Sequence, residues 1–214
     1  MSGPARALPQ GAPLDGSRLK IVQAGDPVLR KIACDLTPEE IDSPAIRQLV
    51  GWMKDTMRDA PGVGLAAPQI GLSIQLAVIE DRAENLRAAT PEQIAERERR
   101  EVPFFALFNP RILLFSEDTA EFYEGCLSVS GFGALVRRSL GVTVEYLDEN
   151  AQPRRIEARG WFARILQHEI DHLNGCLYID RMEPRSFATS DNLARYWKDL
   201  PVAAVREQLN LNPR

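Results

Sequence analysis

The run His168-Glu169-Ile170-Asp171-His172 constrains this chain more than any other short stretch, because both histidines of the 214-residue sequence fall inside it. Residues four apart share a helix face, with Cβ atoms ~5–6 Å apart, so a helix through this run turns two imidazoles towards one point. The flanks supply that helix over about 161–174, with Gly175 placed to close it. Trp161, Ile165, His168 and His172 form one stripe, and Arg164, Gln167, Asp171 and Asn174 form a second, polar one. The first stripe is therefore expected to face the core. Two buried, hydrogen-bonded histidines would satisfy the pattern as packing alone. Glu169 shifts the balance: H-E-x-x-H places two metal ligands and a general base on a single helix.

A metal centre needs a third protein ligand, and no third histidine exists. The longer pattern H-E-x-x-H-x-x-G-x-x-H matches at Gly175 but meets Tyr178 where its last histidine should stand. Glu183 is close in sequence, and Glu207 sits in a weakly patterned segment. That leaves the cysteines. Cys176 follows the helix stop. Cys34 lies in an apolar stretch read as an early helix, where a small core hydrophobe is the better reading. Cys126 sits in Glu124-Gly125-Cys126-Leu127-Ser128, just past a strand, beside a glycine that permits an unusual backbone path. Spacing favours Cys126, with core packing as its alternative.

The rest of the chain sets bounds. Three widely spaced cysteines make no disulfide framework and favour a reducing compartment. A net charge of −4 provides no basic field to attract nucleic acid or anionic membrane. No apolar run approaches the ~20 residues of a membrane span. Residues 1–18 are rich in Pro, Gly and Ala, predict a disordered arm, and resemble neither a signal peptide nor a good transit peptide. Residues 19–214 are expected to form a single catalytic domain.

Helix starts are legible at Asp26-Pro27, at the capping box Thr37-Pro38-Glu39-Glu40, and at Asp42-Ser43-Pro44. The last opens a long helix with the stripe Ile46, Leu49, Val50, Met53 and Met57, stopped by Pro61-Gly62. Strands are expected at 74–79, 104–108, 112–115, 119–123, 140–146 and 154–158, the last two as a hairpin. Between 81 and 103 the charged sequence predicts a surface excursion with one short helix opened by Thr90-Pro91-Glu92-Gln93. A weak helix is expected over 202–209. The fold class is α+β, with mostly antiparallel sheets.

Three ordered motifs, GVGLAAPQ (62–69), EGCLS (124–128) and QHEIDH (167–172), resemble the peptide deformylase family. The flanks GDPVLR (25–30), FNPRI (108–112) and RGWFARILQHEIDHLNG (159–175) extend the resemblance over about residues 19–185. It implies sheets packed around a central H-E-x-x-H helix. It further implies Cys126, His168 and His172 as ligands of one divalent ion, with Fe²⁺ expected in the cell and Zn²⁺, Ni²⁺ or Co²⁺ able to occupy the site. Glu169 would be the general base and then proton donor. The Gln69 amide and the Leu127 N–H would form an oxyanion hole, and Gly64 the peptide-binding edge. Val63, Phe122 and Trp161 are expected to line a methionine pocket, plain core packing being their alternative. The implied reaction removes the formyl group of N-formylmethionine from nascent polypeptides, releasing formate; the setting would be bacterial cytoplasm, with encounter at the ribosome, an organelle being the alternative that the N-terminus does not support. Two positions depart from the family pattern: Ser130 stands where proline is usual, and Arg137 replaces the proline of V-P-R. Altered loop geometry, with the ligands intact, is the expected effect. Another metal-dependent amidase or peptidase, or a module with a structural metal, are the competing readings; a structural zinc would ordinarily need four protein ligands.

Overall fold

The computed structural model describes residues 18–87 and 89–211, so the expected N-terminal arm lies, but for residue 18, outside the described residues. After a 3₁₀ turn at Pro27–Arg30 come α1 (Pro38–Ile41), α2 (Pro44–Asp59), β1 (Gly64–Ala66), β2 (Leu76–Asp81), α3 (Ala83–Arg87) and α4 (Pro91–Glu96). Then follow β3 (Val102–Phe115), β4 (Thr119–Cys126), β5 (Val129–Ser139), β6 (Gly141–Leu147), β7 (Pro153–Arg159) and α5 (Gly160–Leu173). The chain ends its described course with β8 (Ala188–Thr189), α6 (Ser190–Asn192) and α7 (Val202–Gln208).

The strands form two antiparallel sheets, one of order β1-β2-β3-β6-β7 and one of order β4-β5-β8. Helix α5 packs against strands of both, as the α+β expectation requires. Its apolar side, Ala163, Ile165, Leu166 and Ile170, buries against Ile79, Leu107, Val142 and Val144 of the larger sheet. Helix α2 covers β1, β2 and β3 with Ile46, Leu49, Met53 and Met57, the stripe read from its periodicity; Val50 is only partly buried. Ser43 accepts from the Ile46 N–H to cap α2, and capping boxes at Thr37 and Thr90 open α1 and α4.

Several expectations are corrected. The helix after Pro27 stops after one turn, because the following residues bond elsewhere: Ala33 N–H to the Leu173 carbonyl (2.9 Å) and Cys34 N–H to that of Ser73 (3.1 Å). Cys34 is thus extended and exposed, and fills no core. The two strands expected at 104–108 and 112–115 are a single bent β3. Its bend is Asn109, at φ 51°, whose side chain accepts from Leu36 N–H (2.9 Å) and donates to the Leu36 carbonyl (2.8 Å). Residues 129–139, unassigned from sequence, form β5 and pair along β4. The excursion carries two short helices, α3 and α4. Residues 64–66 add an edge strand where only a turn was expected.

Candidate metal centre

Cys126 closes β4, while His168 and His172 stand one turn apart on α5. One ligand atom from each lies within 4.8 Å of the others. Cys126 Sγ is 3.3 Å from His172 Nε2, and the two imidazoles are nearly perpendicular, with centroids 4.9 Å apart. One sulfur and two imidazole nitrogens converging in this way fit a divalent first-row ion. Burial pushes the His172 pKa down, which suits a neutral ligand. On His168 burial works in the same direction, but Cys126 and Glu124 outweigh it and raise the pKa; the site therefore attracts positive charge at this ring.

His168 is oriented from behind. Its Nδ1 lies 3.0 Å from Glu124 Oε2, the arrangement by which a carboxylate fixes a ligand's tautomer and ring plane. Glu124 is itself gripped by Arg138 (2.7 and 3.0 Å) and Arg164 (2.6 Å). Burial would raise its pKa, yet the Arg138 charge and the bond to His168 hold it well below the usual carboxylate range. Arg138 continues to Asp171 (2.7 Å), and Gln167 donates to the Ser139 carbonyl (2.8 Å). Of the expected polar stripe Asn174 is exposed, while Arg164, Gln167 and Asp171 are turned into protein: Arg164 and Gln167 are buried and Asp171 half-buried. Each bonds the smaller sheet, which supplies polar partners that a helix wheel does not reveal.

Glu169 points into the same cavity, 4% exposed, and its Oε2 has no hydrogen-bond partner among the described residues. Burial pushes its carboxyl up to about 7, where it can both take and give a proton near neutrality. Gly64 explains how it fits: a Cβ there would stand 2.2 Å from Glu169 Oε1. Gln69 is buried at the end of a 3₁₀ turn. Its Oε1 accepts from Ala66 N–H (2.8 Å), which aims Nε2 at Ser128 Oγ (3.3 Å) and Cys126 Sγ (3.5 Å).

A cavity of about 760 Å³ opens over these groups and is bounded by Val63, Gly64, Leu127, Trp161, Ile165 and Glu169, among others. Phe122 is not among the residues bounding it; it is buried in β4, edge-on to Trp161 at 6.5 Å. Sequence reasoning missed Glu124 and Gln23. The Gln23 side chain donates to the Leu127 carbonyl (3.0 Å) and accepts from Ser130 N–H (3.2 Å), bracing the loop after Cys126. Ser130 therefore replaces the rigidity of a proline with a backbone donor that proline lacks. The available signals were the acid of EGCLS and two arginines, Arg138 and Arg164, with no evident partner.

The chain matches the family described as Polypeptide deformylase over residues 18–188. It is 47% identical over 184 residues to peptide deformylase 1A, chloroplastic, of Solanum lycopersicum, covering 86% of this chain but 65% of that relative. To peptide deformylase 1 of Bifidobacterium longum it is 45% identical, covering 86% of this chain and 82% of the other. This chain thus spans just under two thirds of the plant relative's length. Among solved structures it is similar to the Met-Ala-Ser-bound class I type b peptide deformylase of Acinetobacter baumannii, with TM-score 0.70 and 33% identity over 78% of this chain and 99% of that one.

Proposed function

This chain belongs to the polypeptide deformylase family, and from that premise we propose that it hydrolyses the formyl group from N-formylmethionine at the start of nascent polypeptides. Cys126, His168 and His172 hold one divalent ion, Fe²⁺ in the cell, with Zn²⁺, Ni²⁺ and Co²⁺ as workable substitutes for this donor set. Bound there, the ion supplies the Lewis acidity that makes water a nucleophile near neutral pH.

The chain's own residues do the rest. The substrate backbone lies along the free edge of β1 at Gly64 as an added strand. The methionine side chain enters the cavity past Val63 and Trp161, with Phe122 behind Trp161. As water attacks the formyl carbon, the Glu169 carboxylate takes its proton. Gln69 Nε2–H and the Leu127 N–H then face the developing oxyanion, each such donor being worth ~2.7–4 kcal/mol. Collapse breaks the C–N bond, Glu169 returns the proton to the leaving nitrogen, and formate and a free amino terminus result.

The observation that carries this reading is the buried Glu169 carboxylate, whose Oε2 has no hydrogen-bond partner among the described residues, beside the Cys126/His168/His172 cluster. The partners are formylated nascent chains met at the ribosome, in bacterial cytoplasm. No helix among the described residues is long and apolar enough to cross a membrane. The test is formate release from a formyl-Met peptide by metal-assayed protein, with the unformylated peptide as control. Glu169→Ala should retain the metal and lose ~10²–10⁴-fold in kcat. Deformylation persisting at the parent rate in metal-loaded Glu169→Ala would sink the assigned role.

A further inference from the structure

Three guanidinium groups contact the Phe122–Trp161 pair. Arg164 lies 5.1 Å from the Phe122 ring and is neutralised by Glu124 (2.6 Å). Arg99 lies 5.5 Å from Trp161 and is neutralised by buried Asp81 through two bonds, of 2.7 and 2.8 Å. Arg97 lies 5.0 Å from Trp161 and 5.5 Å from Phe122, lines the active-site cavity, and has no carboxylate partner among the described residues. Its Nε is buried and has no hydrogen-bond partner among the described residues.

This placement is built. Arg97 comes from the excursion between β2 and β3, far from the motif residues in sequence, and that excursion is clamped to the start of α5. Trp161 N–H donates to the Arg97 carbonyl (2.8 Å), and Arg159 pairs with Glu98 (2.9 Å). Gly160 permits the approach, since a Cβ there would stand 2.5 Å from Glu98 Cβ and 2.7 Å from the Arg97 carbonyl. A chain held so closely places the guanidinium over Trp161, where Glu96 acts on its charge from a distance but no carboxylate among the described residues forms an ion pair with it.

Trp161 precedes His168 by seven residues of α5, which is ~10 Å along the helix. An extended peptide advances ~3.3 Å per residue and turns alternate side chains to the same side. With its first residue beside the metal ligands, its third therefore faces the same wall and lies ~7 Å further along, within reach of Arg97. From this geometry we infer that Arg97 is a specificity-determining residue that favours substrates with a carboxylate side chain at the third position. The inference rests on the deformylase reading and adds a substrate preference to it.

The test uses the full, metal-loaded chain and C-terminally amidated peptides, formyl-Met-Ala-X, with X as Glu, Gln or Lys. The parent protein should favour Glu over Lys by about tenfold in kcat/KM, carried by KM. R97K should keep the order, R97Q should bring the ratio to within about twofold, and R97E should invert it. Equal kcat/KM for all three peptides in the parent protein would overturn the inference, as would an unchanged ratio in R97E. So would a uniform fall in kcat with the ratio intact in R97Q, which would assign Arg97 to holding Trp161 instead. A preference seen with Glu at the second position but not the third would overturn the positional assignment. No formate from any peptide would sink the deformylase reading itself.

Discussion

At the scale of single residues, the narrowest tolerance in the site belongs to Gly64. A methyl group there would stand 2.2 Å from one Glu169 oxygen and 2.5 Å from its carboxyl carbon, closer than non-bonded atoms approach. Gly64→Ala must therefore displace either β1 or the Glu169 carboxylate, and the three ligand residues lie on neither. The expected outcome is full metal content with formate release down at least ~10²-fold, the scale of loss that an ångström of misplacement produces. Parallel metal analysis and formate assay check it, and wild-type activity per metal would refute the close-packing argument. His168, His172 and Glu169 were legible in sequence by type and spacing, and the structure brings the two histidines together with Cys126 and turns Glu169 to the same cavity. Glu124 and Gln23 were not, because their meaning lies in partners distant in sequence, such as His168 for the first and Leu127 for the second. Cys34 misled for a related reason. Its apolar neighbours resemble a core segment, while its backbone is drawn into extended bonding by Ser73 and Gln75.

Elements set by local signals emerged as read: α2 from its cap and stripe, α4 from its capping box, and the β6–β7 hairpin from alternation and turn chemistry. β5 escaped because Gly131, Gly133 and the Arg137-Arg138 pair break its apolar alternation, yet pairing with β4 satisfies its backbone all the same. How elements are fastened to one another is equally non-local, and α2 provides a test. Arg58, in its last turn, grips Glu80 of β2 through two bonds of 2.7 and 2.6 Å. The bonds and charge of Arg58 outweigh burial and lower the Glu80 pKa from its ordinary 4.5. A carboxyl with a depressed folded pKa adds stability that is complete above its unfolded value and is lost as pH falls through the folded one. Glu80→Gln should therefore unfold more easily at pH 7, by ~1 kcal/mol given that Arg58 is partly exposed. The gap should shrink as the pH drops below 4.5. Denaturant melts of both proteins at several pH values measure it, and a gap that stays constant down to the acid limit would contradict the pair's contribution.

At the scale of the whole molecule, α5 joins two sheets by different means. Towards the larger sheet it offers Ala163, Ile165, Leu166 and Ile170, an apolar contact. Towards the smaller sheet it offers Arg164, Gln167, His168 and Asp171, which bond the Ala120, Val136 and Ser139 carbonyls, Glu124 and Arg138. The polar junction is where the ligand set lies, with Cys126 on β4 of the smaller sheet and both histidines on α5. An ion held by Cys126, His168 and His172 would thus connect the smaller sheet to the helix, and binding to the folded state alone would stabilise it. With metal at ~100 times its dissociation constant the gain is about 2.7 kcal/mol, or roughly 5–10 °C in melting temperature for a chain of this size. Chelation should lower the thermal midpoint by that amount, and restored metal should return it. Cys126→Ser separates the ion from the polar bonds around it. Its midpoint should match that of the chelated parent protein, and added metal should raise it much less. If chelation, verified by metal analysis, left the parent midpoint unchanged, the bonds centred on Glu124, Arg138 and Arg164 would be sufficient to hold the smaller sheet to α5, and the ion would contribute to chemistry alone.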